Sequence, residues 1–426
     1  MSTIIIGAGL AGLAAAERLA REDREVMLVD ARRRVGGRVL TWSNSGVSID
    51  LGAEWINNIG PVRELLERHE VELRDAEGSR FAREGDAWQN LDDLPDVTSG
   101  LRERAERGIG ATDRSLAEAL RECCRGEGDE AARSLLVSYV EGFHAADAER
   151  VSMRWLGVVE RTQPADASAL RAPLGASTAV YALRGACEGH CTFRLGTRVT
   201  EVKWRKGSVE VSAQGAEGAI SMRAKSAIIT LPLPILKAPD TPGSVRFDPP
   251  LAQKRVALHL LEMGSALKVY LEFAEPFWWD HVPENLLFLF STGSPLPVWW
   301  LPVDRDQPFL AGWVGGPAAD VLARNAGLDL TGHAVDSLAA GLGVSHALVR
   351  QHLVGTHVHD WTADPFTRGA YSYVAVGGGD AHADLAEPLD GTLYFAGEAT
   401  AGGGLNATME GAIESGRRAA EQILAS

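Results

Sequence analysis

The residues best suited to chemistry in this 426-residue chain stand near its two ends. An apolar run over residues 3–6 leads into Gly7-Ala8-Gly9-Leu10-Ala11-Gly12, and a second apolar run over 25–29 ends at Asp30 and Ala31. This spacing predicts a strand–turn–helix–strand unit that cradles a pyrophosphate. Gly7 permits the turn, Gly9 lets the backbone approach the phosphates, Gly12 lets the helix pack on the strand, and Asp30 reaches a ribose. The N–H groups that open the helix, Ala11 among them, and its positive dipole end face the same anion. Near the other end, Phe395-Ala396-Gly397-Glu398-Ala399-Thr400 is followed by a helix-like run from Met409 to Leu424. Two such segments at opposite ends of the chain predict one large cofactor, FAD, gripped from both termini.

Further residues support the same ligand. Arg32-Arg33-Arg34-Val35-Gly36-Gly37-Arg38 offers a second close backbone approach with a cation beside it, which suits the same pyrophosphate. Gly52-Ala53-Glu54-Trp55 forms a compact turn able to lie against a flavin ring. Lys268 alternates with Leu267, Val269 and Leu271, so period alone puts it opposite the apolar set, as a solvated lysine would be.

These motifs together resemble the flavin-containing amine oxidases: monoamine oxidases, polyamine oxidases and the catalytic domain of the lysine-specific histone demethylases. The Gly-Gly-Arg and Gly-Ala-Glu-Trp elements are that family's second and third signatures, and the resemblance runs over nearly the whole chain. It implies hydride transfer from an amine α-carbon to flavin N5, an imine that water hydrolyses, and O2 reduced to H2O2. It also assigns residues. Lys268 would reach the flavin N5 through a water, reversing the reading from period. The backbone of Val199 would bind the adenine, and Glu398 the ribityl chain. Thr408 and Met409 would open the last helix toward the pyrimidine end of the ring. Trp361 leads to Tyr371, one wall of an aromatic cage; Thr408 holds the position of the opposite wall. Trp299, Trp300 or Asn57 would lie further out. Thr367-Arg368-Gly369-Ala370-Tyr371 has no cysteine, so FAD is expected to be non-covalent. Asn57 and Asn58 stand where many polyamine oxidases carry a glutamate or histidine, which argues against a polyamine.

The elements that must position these residues follow from pattern and resemblance. The fold class is α/β: a discontinuous Rossmann-like FAD-binding domain over 1–60, 172–252 and 370–426. A substrate-binding domain of mixed sheet plus helices is inserted over 61–171 and 253–369. Helices are predicted over 61–69, 115–124 and 131–143. Strands are predicted over 192–195, 198–204, 208–212, 227–232, 267–273, 286–290, 298–301 and 309–314.

Composition bounds the remainder. Apolar residues make up 45% of the chain, and no apolar run has the length of a membrane span. A strand beginning at residue 3 leaves no room for a signal peptide, and the end at Ser426 leaves none for an anchor, so a cytoplasmic protein is expected. Cys123, Cys124, Cys187 and Cys191 lack histidines at metal spacing and are expected to be reduced; no metal is expected. The net charge of −15 argues against nucleic acid as a partner. The expected partners are a small amine and O2, with a homodimer allowed. The residues leave open a monoamine, a polyamine, an amino acid (an L-amino-acid oxidase) or a biosynthetic amine or amide. Two other classes remain: a flavin desaturase or isomerase acting on an isoprenoid-like molecule, and a non-catalytic flavin-bound interaction protein.

Overall fold

In the computed structural model, which describes residues 3–93, 103, 112–123, 130–162, 169–238, 241, 243–325 and 329–426, the chain opens on a fully buried strand, Thr3–Ile6. Its β-branched residues suit the centre of a parallel sheet. Five parallel strands form that sheet, in the order Cys191–Arg194, Val26–Val29, Thr3–Ile6, Ser226–Ile229 and Leu393–Phe395. They come from both ends and the middle of the chain.

The turn after the first strand needs its glycines. Gly7 has φ +113°, and a Cβ on Gly12 would stand 1.9 Å from the Gly7 carbonyl oxygen. The helix Leu10–Ala20 therefore starts hard against the strand. The last helix, Met409–Leu424, packs across it. Beside this layer lies a four-stranded sheet containing the Arg198–Arg205, Ser208–Gly215 and Gly218–Ala224 meander.

A second, seven-stranded mixed sheet runs in the order Leu353–Val358, Ala266–Phe273, Phe309–Gly315, Val298–Trp300, Leu286–Phe290, Ser79–Glu84, Ala87–Asn90. One face buries Leu267, Val269 and Leu271 in a core shared with the helix Leu330–Leu342. The opposite face is buried too. There Tyr270, Trp300, Phe309 and Ala311 meet Ile49 and Leu51. A small sheet of Ile56–Asn57, Ala169–Arg171 and Arg74–Asp75 sits at the junction. The helices Pro61–Arg68, Leu116–Cys123 and Glu130–Phe143 match the apolar periodicity, each within two residues at either end. Among the described residues no helix is long and apolar enough to cross a membrane. Cys187 and Cys191 are free thiols, while Cys124 lies outside the described residues.

Candidate active site

The two glycine loops lie edge to edge. Gly9 forms a β-bridge with Gly36, and a Cβ on Gly9 would come no nearer than 3.9 Å to Gly37 Cα. Gly9 caps the first helix without a side-chain hydrogen bond, and no acidic residue occupies the first turn, so its opening N–H groups are left for an anion. Asp30 ends the second strand and accepts from Ala8 N at 2.8 Å and Arg32 N at 2.7 Å. Burial pushes its carboxyl up, and the two backbone bonds oppose that shift.

A narrow cavity lies near these loops, lined by Arg38, Thr230, Pro232, Gly397 and Glu398 among others. Arg38 Nη1 donates to Glu398 Oε1 at 2.7 Å and to the Ala370 carbonyl at 2.8 Å. Glu398 Oε2 accepts from Ser372 Oγ at 2.5 Å and Ala407 N at 3.1 Å. Thus one carboxylate gathers three widely separated segments at the cavity wall. An uncapped helix start, a side-chain-free loop pair, and a cavity flanked by one cation and one anion together fit the pyrophosphate and sugar chain of a flavin dinucleotide.

The Gly52–Trp55 turn is pinned to the second glycine loop by Ala53 N donating to the Arg38 carbonyl at 3.1 Å. Trp361 Nε1 donates to the Leu51 carbonyl at 2.9 Å, fixing the other side of the turn. Glu54 is buried, and its carboxylate meets the second sheet. Oε2 accepts from Lys268 Nζ and Tyr270 Oη, each at 3.0 Å. Oε1 accepts from Trp300 Nε1 at 3.2 Å and Arg171 Nη1 at 3.4 Å. Lys268 is 6% exposed. The alternation read from sequence is correct for its strand, but the face opposite the core is covered by this turn rather than by water.

Tyr371 Oη donates to the Phe143 carbonyl at 2.6 Å, so its ring is tethered to the end of the helix Glu130–Phe143. Burial pushes its phenol well above the ordinary range. Thr408 caps the last helix: its hydroxyl accepts from Gly411 N at 2.9 Å and donates to the Leu405 carbonyl at 2.8 Å. Its methyl and backbone are what remain to face a ligand. Met409 is buried in the core beside the first helix.

Other residues have partners that the sequence reading did not name. The Arg32 guanidinium binds Asp364 and Thr367, both at 2.7 Å, and lies over the Phe366 ring. Val199 is buried opposite Ala213 at a bulge. Trp299 is fully buried in the core on the far face of the second sheet, so it is no outer wall of a substrate cage. Asn57 donates its backbone N–H to Glu410 at 2.9 Å. Arg171, Tyr270 and Ser372 were missed. Tyr270, two residues after Lys268 on one strand, shares its face and was legible. Arg171 carries no local signal. Among the described residues no group of three or more His, Cys, Asp or Glu could hold a metal ion.

A parallel nucleotide-binding layer joined to a mixed-sheet lobe, with the cleft residues between them, is the two-lobed arrangement of flavin amine oxidases. Cyclohexylamine oxidase from Brevibacterium oxydans IH-35A superposes with TM-score 0.82 at 22% identity, over 99% of this chain and 98% of that one. Wild-type putrescine oxidase bound to putrescine gives 0.81 at 22% identity, over 100% and 99%. Polyamine oxidase 3 of Oryza sativa subsp. japonica is 28% identical over 99% of this chain and 88% of its own length. Lysine-specific histone demethylase 1B of Mus musculus is 28% identical over 100% of this chain, which spans 53% of that protein. The sequence profile of the flavin-containing amine oxidoreductases matches residues 10–424, and the chain belongs to that family. It is an amine oxidase that uses a flavin and acts on small-molecule amines.

Proposed function

We propose that the chain is a non-covalent FAD enzyme that oxidises a small amine at its α-carbon and uses O2 as the electron acceptor. The observation that carries this is Lys268, a buried lysine held beside a turn that is pinned to Arg38, a residue lining the cavity. FAD would be held by the two glycine loops, Asp30, Arg38, Glu398 and the start of the last helix, within a domain of residues 1–60, 172–252 and 370–426. When bound, it supplies a two-electron acceptor.

The protein residues supply position and electrostatics. The Tyr371 ring and the Thr408 methyl would orient the amine and exclude water. An aromatic-lined site disfavours the ammonium form by desolvation, so no strong general base is assigned. Lys268 would hold a water with a proton that its carboxylate partner leaves free. No cysteine stands in the segment 367–371, which supports non-covalent binding. Relatives named polyamine oxidases favour a substrate with more than one nitrogen; the neutral side chains of Asn57 and Asn58 favour a monoamine or short diamine.

A peroxide assay over monoamines, diamines, polyamines and amino acids tests the reading. Turnover of at least one amine with stoichiometric H2O2 is expected. Amine turnover with an artificial acceptor but no peroxide in air would remove O2 from the proposal.

A further inference from the structure

Glu54 sits in a turn that Ala53 N pins to the Arg38 carbonyl, yet four donors from elsewhere converge on its carboxylate. Glu54 and Lys268 are each 6% exposed and Arg171 is 4% exposed. Burying three charges is costly, and an apolar set of the same volume would hold the turn to the sheet at least as well. A need for charge at this place explains the cluster better than a need for adhesion.

The charges are also ordered. Burial pushes the Glu54 carboxyl up, but the charges of Lys268 and Arg171 and the bonds from Lys268 and Tyr270 outweigh it and hold it below its ordinary range. Among the described residues Glu54 is the one hydrogen-bond acceptor on Lys268 Nζ, which also stands 5.7 Å from the ring centroids of both Tyr270 and Trp300. The amine is therefore fixed by one carboxylate and two ring faces, with protons left over.

We propose that Glu54 is the positioning residue of Lys268: it aims the ammonium at its place beside the flavin and balances the positive charge that Lys268 and Arg171 bring there. The proposal rests on the reading of Lys268 as the flavin-side group, and it assigns the Glu54 side chain to the lysine instead of the cofactor.

The test uses holoenzyme and needs no amine. Glu54→Gln, Glu54→Asp, Lys268→Met and the Glu54→Gln/Lys268→Met pair are compared by the flavin midpoint potential. They are also compared by the rate at which O2 reoxidises dithionite-reduced enzyme. Reduction adds negative charge to the flavin, so removing the cation should lower the potential and removing its counter-charge should raise it. A merely structural role would not give shifts of opposite sign. Glu54→Gln should slow reoxidation roughly ten- to hundredfold through misplacement of a lysine that is still present. The double variant should be no slower than Lys268→Met alone. Glu54→Asp keeps the charge and shortens the reach, so it should slow reoxidation at a near wild-type potential. Should Glu54→Gln fail to fold, Glu54→Asp carries the test. Wild-type rate and potential in the Glu54 variants, beside an altered Lys268→Met, would overturn the positioning role alone. A Lys268→Met enzyme unchanged in both would overturn the functional reading and this proposal with it.

Discussion

Tyr371 ties two segments together at the level of single bonds. Its hydroxyl donates to the Phe143 carbonyl, and the backbone carbonyl of the preceding Ala370 receives Arg38. Removing the hydroxyl alone should cost about 1 kcal/mol of stability and leave the ring in place. Tyr371→Phe is therefore expected to keep kcat/KM within about threefold of wild type, whereas Tyr371→Ala should lose roughly tenfold or more with flavin retained. Steady-state kinetics on the first substrate found decides it; an Ala variant matching both Phe and wild type places the cage elsewhere. The glycine loops and the acid after a buried strand were legible as candidates from residue type and place, whereas period alone read Lys268 as solvated and only the family resemblance reversed that. Partnership was not legible. Lys268 and Glu54 are 214 residues apart, and nothing local to either announces the other.

Two elements bear most of the geometry. The first and last helices cross so closely that a Cβ on Gly416 would stand 2.1 Å from the Ala11 carbonyl oxygen. Under the proposed function both helices open toward the flavin, so prying them apart should disturb both grips together. Gly416→Ala is expected to cost about 1–3 kcal/mol by overpacking and to lower flavin content, read by thermal melting and absorbance. Full flavin occupancy at unchanged melting temperature would show that the crossing tolerates a methyl group.

Asp50 holds a second junction. It ends the strand Val47–Asp50, accepts from Thr41 Oγ1 at 2.5 Å, and accepts from Ala176 N, which caps the helix Ser177–Ala186. Burial, with Glu54 nearby, pushes its carboxyl up to about 6. A carboxyl raised on folding stabilises the native state below its ordinary pKa, and that contribution is lost as pH rises through about 6. Asp50→Asn mimics the protonated acid. It should gain on wild type between about pH 4 and pH 7, by at most roughly 3 kcal/mol. Melting curves of the two proteins that stay parallel across that range would contradict it. The sequence showed these elements wherever one face was apolar, as in the strand Ala266–Phe273 and the helix Met409–Leu424. It did not show that the second face of the lysine strand is covered, because the cover comes from Ile49, Leu51 and Glu54, distant in the chain.

At the scale of the molecule, two lobes meet along the line that joins the glycine loops, the Gly52–Trp55 turn and Lys268. The order of strands in the parallel sheet requires the chain to leave and re-enter that layer, which the family resemblance implied and no local pattern announced. The central claim is that this junction holds a flavin that amines reduce. Anaerobic mixing of the purified yellow protein with a panel of monoamines, diamines and polyamines, followed by the flavin's visible absorbance, tests it most directly. The account predicts that at least one amine bleaches the flavin, that air restores the colour, and that acid precipitation afterwards releases intact FAD. A flavin that dithionite bleaches and no amine does, or one that stays with the precipitated protein, would contradict it.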